Sequence, residues 1–228
     1  IIKTRIRQHI INIRDIFSVR IGIFNGRVMP NIKLSKGILN SEGFAFCALA
    51  DYFKVDLIVE SGICNGGSTI ILGKYFTEIP IISIDLKTKM EAIIRTSIFH
   101  NITIINGDSN TLLPQIIDVF KDKRIVILID GPKGIPAITL ARKCLKNNNV
   151  MLVGIHDLFR NLYGVKKDDR VLFDSLKVNK FITDNNEFVE KFGYLDTNND
   201  GTKHKLHDKY VYRGQGYGPT LGVMIKGN

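Results

Sequence analysis

The chain has 228 residues, 44% of them hydrophobic and 24% charged, which is enough for one sizeable core and short for two. Its apolar runs are all far shorter than the roughly 20 residues of a membrane-spanning helix, which excludes a transmembrane protein and predicts a soluble one. The formal charge of +10 and pI near 9.5 are compatible with a polyanion partner, but the basic residues are spread along the chain, so nucleic acid is not the favoured partner.

Residues 3–20, "KTRIRQHIINIRDIFSVR", place Ile6, Ile10, Ile13 and Phe17 at helical spacing between charges and predict a docking helix with a solvated basic face. From residue 41, "SEGFAFCALADYF" reads as a helix N-capped by Ser41. Strands are then predicted at "DLIVES" (56–61), "IISID" (81–85), "ITII" (102–105), "IVILID" (125–130) and "VMLVGI" (150–155), with helices around 68–76, 89–98, 110–121 and 135–146 between them. Continuous aliphatic strands alternating with helices are expected of a parallel sheet covered on both faces. The fold class is therefore α/β: a doubly wound, mostly parallel sheet. After a polar, glycine-studded stretch, "TLGVMIKG" closes the chain as an antiparallel addition. We expect one domain over 1–228, with an N-terminal helical cover (1–40), a core (41–157) and a segment (158–228) that shapes an acceptor pocket with Phe159, Arg160, Tyr163, Tyr210, Tyr212, Arg213 and Tyr217.

Cys47, Cys64 and Cys144 are odd in number and lack metal-site spacing, which suits free thiols in a reducing compartment; cytoplasmic localisation is the expectation. "DTNNDG" at 196–201 resembles half of an EF-hand loop, but His207 stands where the closing glutamate belongs, and it reads as a turn. Tyr163 and Lys167 have the spacing of a dehydrogenase pair without the glycine pattern of a nicotinamide site, and read as chance.

The first strand runs into Glu60-x-Gly62-x-x-x-Gly66-Gly67-Ser68, which is neither a dinucleotide fingerprint nor a P-loop. In an open α/β sheet ligands lie beyond the carboxyl ends of the strands. There an acid recurs: Asp85, Asp108, Asp130 and Asp157. Such a row suits hydroxyls and amines better than phosphates: a ribose diol at Asp85, an exocyclic amine at Asp108, an ammonium near Glu60. Turn and cap chemistry is the competing explanation for each residue taken singly.

"LIDGPKG" and "GIHDLFR" put Asp130, Lys133, His156 and Asp157 at the tips of adjacent strands. Carboxylates with open positions suit Mg²⁺, a bound cation lowers the pKa of a hydroxyl, and a desolvated Lys133 could take its proton. Histidine at 156 suits softer metals better. A helix N-cap at His156-Asp157 and a solvated turn lysine at 133 are the competing explanations.

On these motifs residues 57–157 resemble the class I S-adenosylmethionine-dependent methyltransferases, with Cys64 where the usual first motif has glycine; E-x-G-x-x-x-G-x-S looks like the variant in the metal-dependent catechol-type and sugar O-methyltransferases. The resemblance implies that Glu60, Gly62, Gly66 and Ser68 line the methionine moiety, that Asp85 binds the ribose, and that Asp108 and Ser109 bracket adenine. It implies a metal site at Asp130, His156 and Asp157, with His156 replacing the family's carboxylate, and catalytic roles for Asp130 and Lys133. Asp130-Gly131-Pro132-Lys133 lacks the Asp/Asn-Pro-Pro-aromatic motif of the amino-methylating enzymes, favouring an oxygen acceptor. The expected activity is methyl transfer from S-adenosylmethionine to a small-molecule or sugar hydroxyl, assisted by a divalent cation, Mg²⁺ first. A non-catalytic binding module on the same fold and a nicotinamide-dependent oxidoreductase are the alternatives, and a homo-oligomer is compatible with either outcome.

Overall fold

The computed structural model describes residues 2–30, 38–158, 161–162, 165–196 and 221–227, with 2–14, 161–162 and 165–166 described by backbone alone. In chain order the elements are α1 (Ile2–Arg27), α2 (Asn40–Tyr52), β1 (Leu57–Ser61), α3 (Gly67–Tyr75), β2 (Ile81–Asp85), α4 (Met90–Thr96), β3 (Ile102–Asn106), α5 (Ser109–Val119), β4 (Ile125–Ile129), α6 (Ile135–Leu145) and β5 (Val150–Ile155). A short hairpin, β6 (Asn161–Leu162) and β7 (Val165–Lys166), follows, then α7 (Asp168–Ser175), β8 (Asn179–Ile182), α8 (Asn186–Phe192), a 3₁₀ turn (Gly193–Asp196) and β9 (Gly222–Ile225).

The main sheet has seven strands in the order β3-β2-β1-β4-β5-β9-β8. β1 to β5 pair in parallel, and β9 runs antiparallel between β5 and β8. The doubly wound sheet and its antiparallel closing strand are thus as the sequence predicts. β1 and β4, at the centre, are buried at every position, which accounts for their unbroken aliphatic runs. β3 departs from that expectation: as the edge strand it is half-buried, and Thr103 is exposed. β8 is an edge strand that the sequence reading did not separate from its polar surroundings.

Helices cover both faces. On one, the rings of Phe17 and Phe24 from α1 pack against Phe44 of α2 at 5.6 and 5.3 Å, alongside Phe188 and Phe192 from α8. On the other, Leu113, Ile117, Ile138 and Ala141 from α5 and α6 bury against Val59, Ile127 and Val153. The docking-helix expectation holds for Phe17, which is buried; Ile6, Ile10 and Ile13 fall where only the backbone is described. Phe159, Arg160, Tyr163, Tyr210, Tyr212, Arg213 and Tyr217 lie outside the described residues, as does most of "DTNNDG".

Ser41 is not the cap of α2. The N-cap position is Leu39, and Glu42 accepts the Leu39 N–H at 3.0 Å. Ser41 sits one residue inside the first turn, where its N–H and hydroxyl donate to the two carboxylate oxygens of Asp196 at 2.9 and 2.6 Å. A carboxylate brought in from the end of the 3₁₀ turn does the work of the cap. Among the described residues no helix is long and apolar enough to cross a membrane, and the three cysteines are free thiols.

Candidate functional site

The loop between β1 and α3 is shaped by two glycines with positive φ, Gly62 (+91°) and Gly66 (+79°), the latter the N-cap of α3. A Cβ on Gly62 would stand 2.7 Å from the Gly131 nitrogen and 2.9 Å from the Asp130 carbonyl carbon. The end of β4 is drawn against this loop, because the N–H groups of Asp130 and Gly131 both donate to the Ser61 carbonyl, at 2.7 and 2.9 Å. Asp85, at the tip of β2, closes the other side: its Oδ2 accepts the N–H groups of Ile63 (2.9 Å) and Cys64 (3.2 Å).

Glu60 stands beneath the loop rather than within it. The residue is closed off from solvent, and its carboxylate accepts from the hydroxyls of Ser68, Thr69 (2.6 Å) and Ser83 (2.8 Å). Burial raises its pKa, against the lowering effect of those three donors, to about 7. In this arrangement Glu60 and Ser68 brace the start of α3 through each other. Ser109 is also buried, with its hydroxyl 2.6 Å from that of Ser61. Asp108 is exposed and is the N-cap of α5, its Oδ1 accepting the Asn110 N–H at 2.9 Å. Thr69 and Ser83 were not singled out from the sequence; a buried acid followed by hydroxyl residues on the adjoining helix and strand was the available signal.

Beside the loop, the tips of β4 and β5 bring together Asp130, Lys133, His156 and Asp157. Lys133 Nζ donates to Asp130 Oδ1 and to Asp157 Oδ2, the latter at 2.6 Å, and lies 3.3 Å from His156 Nδ1. His156 Nδ1 also contacts Asp130 Oδ1 directly. Lys133 is therefore a bridging cation rather than a solvated turn lysine, although its side chain is half exposed. The N-cap alternative for His156-Asp157 fails as well. Asp157 turns the chain in the left-handed region (φ +64°), and the next helix among the described residues begins at Asp168 with Lys167 at its N-cap. Asp and Asn tolerate that conformation better than most residues, and the turn swings the carboxylate back toward Lys133.

Electrostatics follow the geometry. Burial would lower the pKa of His156, but Asp130 and Glu42 outweigh it and push the imidazole up to about 10. Burial likewise works against the charge on Lys133, and the carboxylates of Asp130 and Asp157 overcome it and raise its pKa. Asp130 is held below the usual carboxylate range: burial would raise it, but His156 and Lys133 prevail. Glu42, from the first turn of α2, is a member of the site that sequence reasoning missed; it is fully buried, with Oε2 3.3 Å from His156 Nε2.

The ligand atoms of Asp130, His156 and Asp157 lie within 4.8 Å of one another, close enough to share one ion. Two carboxylates and an imidazole fit a divalent cation of the first transition series better than Mg²⁺, which prefers oxygen throughout. A cation there would compete with the Lys133 ammonium and with the proton on Nδ1.

No protein-family model matches the chain, and no curated protein matches it. Among solved structures, an O-methyltransferase from Bacillus cereus in complex with SAH is similar at a TM-score of 0.53 and 15% identity, over 93% of this chain and 91% of that one. A putative O-methyltransferase from Klebsiella pneumoniae is similar at 0.51 and 12% identity, over 93% and 90%. An SAH-bound methyltransferase from Podospora anserina is similar at 0.50 and 12%, over 91% and 87%. With its strand order, glycine loop and near end-to-end likeness to these structures, the chain has the class I S-adenosylmethionine-dependent methyltransferase fold.

Proposed function

We propose that this chain is an S-adenosylmethionine-dependent O-methyltransferase acting on a small-molecule or sugar hydroxyl, as one domain in which 41–157 binds the cofactor and 158–228 faces the acceptor. The observation that carries this reading is the direct abutment of the Gly62 loop on Asp130–Gly131. A cofactor seated on that loop, with its ribose toward Asp85, would lie beside the charged cluster at the tips of β4 and β5.

Asp130, His156 and Asp157 would hold a divalent cation, which, when bound, would lower the pKa of an acceptor hydroxyl. The charges of Asp130 and Asp157 raise the pKa of Lys133 against the lowering effect of burial. Once those charges are engaged elsewhere, burial would dominate and Lys133 could take the hydroxyl proton. The acceptor oxygen would attack the methyl carbon in line with the sulfonium, forming the C–O bond as the C–S bond breaks. The sulfur keeps the electron pair, giving S-adenosylhomocysteine, and the proton resides on Lys133 Nζ. Asp130, tied through its N–H to Ser61 at 2.7 Å, would keep the reacting groups in register with the cofactor loop.

Thermal melting with S-adenosylhomocysteine, with and without Mn²⁺, Mg²⁺ or EDTA and with NADH as control, tests the reading. A ligand of the native state at about a hundredfold its Kd adds roughly 2.7 kcal/mol. S-adenosylhomocysteine should raise the midpoint and NADH should not; no shift with the former in folded protein would overturn the cofactor assignment and favour a binding module.

A further inference from the structure

His156 stands where the family it resembles has a carboxylate, and a carboxylate lies directly behind it. Glu42 Oε2 is held by the Leu39 N–H at 3.0 Å and is 3.3 Å from His156 Nε2, while the opposite ring nitrogen, Nδ1, faces Asp130 and Lys133. Glu42 Oε1 and His156 Nε2 are both buried, and neither has a hydrogen-bond partner among the described residues. The unpartnered Nε2 lies 3.3 Å from Glu42 Oε2, so a small ring rotation would complete an Nε2–H bond to that carboxylate, and buried polar groups are rarely left unpaired.

The support for Glu42 is rigid. Asn40 donates to the Leu195 carbonyl at 3.0 Å and Ser41 is held at both its N–H and hydroxyl by Asp196, so the first turn of α2 is pinned at the two residues immediately before Glu42.

We infer that Glu42 is the positioning residue of the site: it accepts the Nε2–H of His156 and thereby aims the Nδ1 lone pair at the space between Asp130 and Asp157, where a cation would sit. This rests on the cation reading of the preceding section. A neutral imidazole has one donor and one acceptor nitrogen, and the group opposite the donor decides which nitrogen faces the metal. Metal-binding histidines commonly donate their other N–H to a carboxylate for this reason. The carboxylate displaced from position 156 is in effect supplied from α2, one layer further from the ion.

The test uses the whole chain and its Glu42→Ala and Glu42→Gln variants, with Mn²⁺ affinity measured by EPR. The ¹⁵N signals of His156, assigned by their loss in His156→Ala, are recorded without metal and with Zn²⁺. Wild type with Zn²⁺ should show the Nε2–H tautomer. Glu42→Ala should bind Mn²⁺ about 10–100-fold more weakly and lose that single tautomer, with S-adenosylhomocysteine affinity unchanged. Glu42→Gln, whose amide oxygen still accepts, should fall between and decides the matter if the alanine variant does not fold. Unchanged Mn²⁺ affinity and an unchanged tautomer would overturn the inference. If wild type takes up neither ion, the cation reading fails by itself, and the metal-free spectra decide on Glu42: imidazole signals moved by the substitution support positioning, and unmoved signals overturn it.

Discussion

Gly62 and Gly131 meet backbone against backbone: a Cβ on Gly62 would lie 2.7 Å from the Gly131 nitrogen, inside any allowed contact. This one approach joins the loop that would take the methyl donor to the strand tip that carries Asp130.

Gly62→Ala tests how much depends on that approach. The substitution meets both the strain of φ +91° and a clash with backbone that cannot rotate away. The two effects together should cost about 2–4 kcal/mol, read as a lower urea midpoint at constant slope, and S-adenosylhomocysteine binding should weaken with it.

Lys133→Ala should leave S-adenosylhomocysteine affinity intact, since the ammonium contacts Asp130, Asp157 and His156 rather than the glycine loop. Turnover should fall about 10²–10⁴-fold if the lysine is the proton acceptor. Lys133→Arg should not restore it, because a guanidinium stays charged. Calorimetric binding alongside initial rates separates the two effects.

His156→Asp replaces the nitrogen ligand by oxygen. Wild type should work better with Mn²⁺ than with Mg²⁺, and the variant should reverse or narrow that preference. The check is the ratio of rates in the two metals after EDTA treatment and reconstitution.

Asp196 makes a pH signature apart from the site. Burial raises its pKa from 3.8 to about 7, opposed by its bonds to Ser41 and assisted by the charge of Glu42. The folded state therefore keeps a proton that the unfolded chain has released across that window, so this group's contribution to stability declines as pH rises from about 4 to about 7. Glu60 acts in the same direction between 4.5 and about 7. Asp196→Asn can keep both bonds to Ser41 and should remove its share of the decline, on the order of 3 kcal/mol, in urea titrations at the two ends of the window.

Much of this architecture is written locally. β1, β2, β4 and β5 are legible because each is a short aliphatic run bounded by turn residues, and β9 because "GVMI" stands out from a polar segment. Gly62, Gly66, Asp85, Asp130, Lys133, His156 and Asp157 are legible because a parallel sheet presents the ends of its strands at one edge, so position along a strand already places a residue near the site. β8 was not legible, since an edge strand with polar residues carries no periodic signal of its own.

What the chain determined by itself, then, was the sheet and the set of side chains at its carboxyl edge, because strand period and turn chemistry are properties of neighbouring residues. Tertiary structure alone decided how those side chains are used. Ser41 lost its expected capping role to Asp196, Glu60 went beneath the loop to three hydroxyls, Ser109 turned to Ser61, and Glu42 arrived behind His156. Each of these joins residues from different elements inside a dry interior, where a buried polar group must find a partner, and packing determines which partners are within reach.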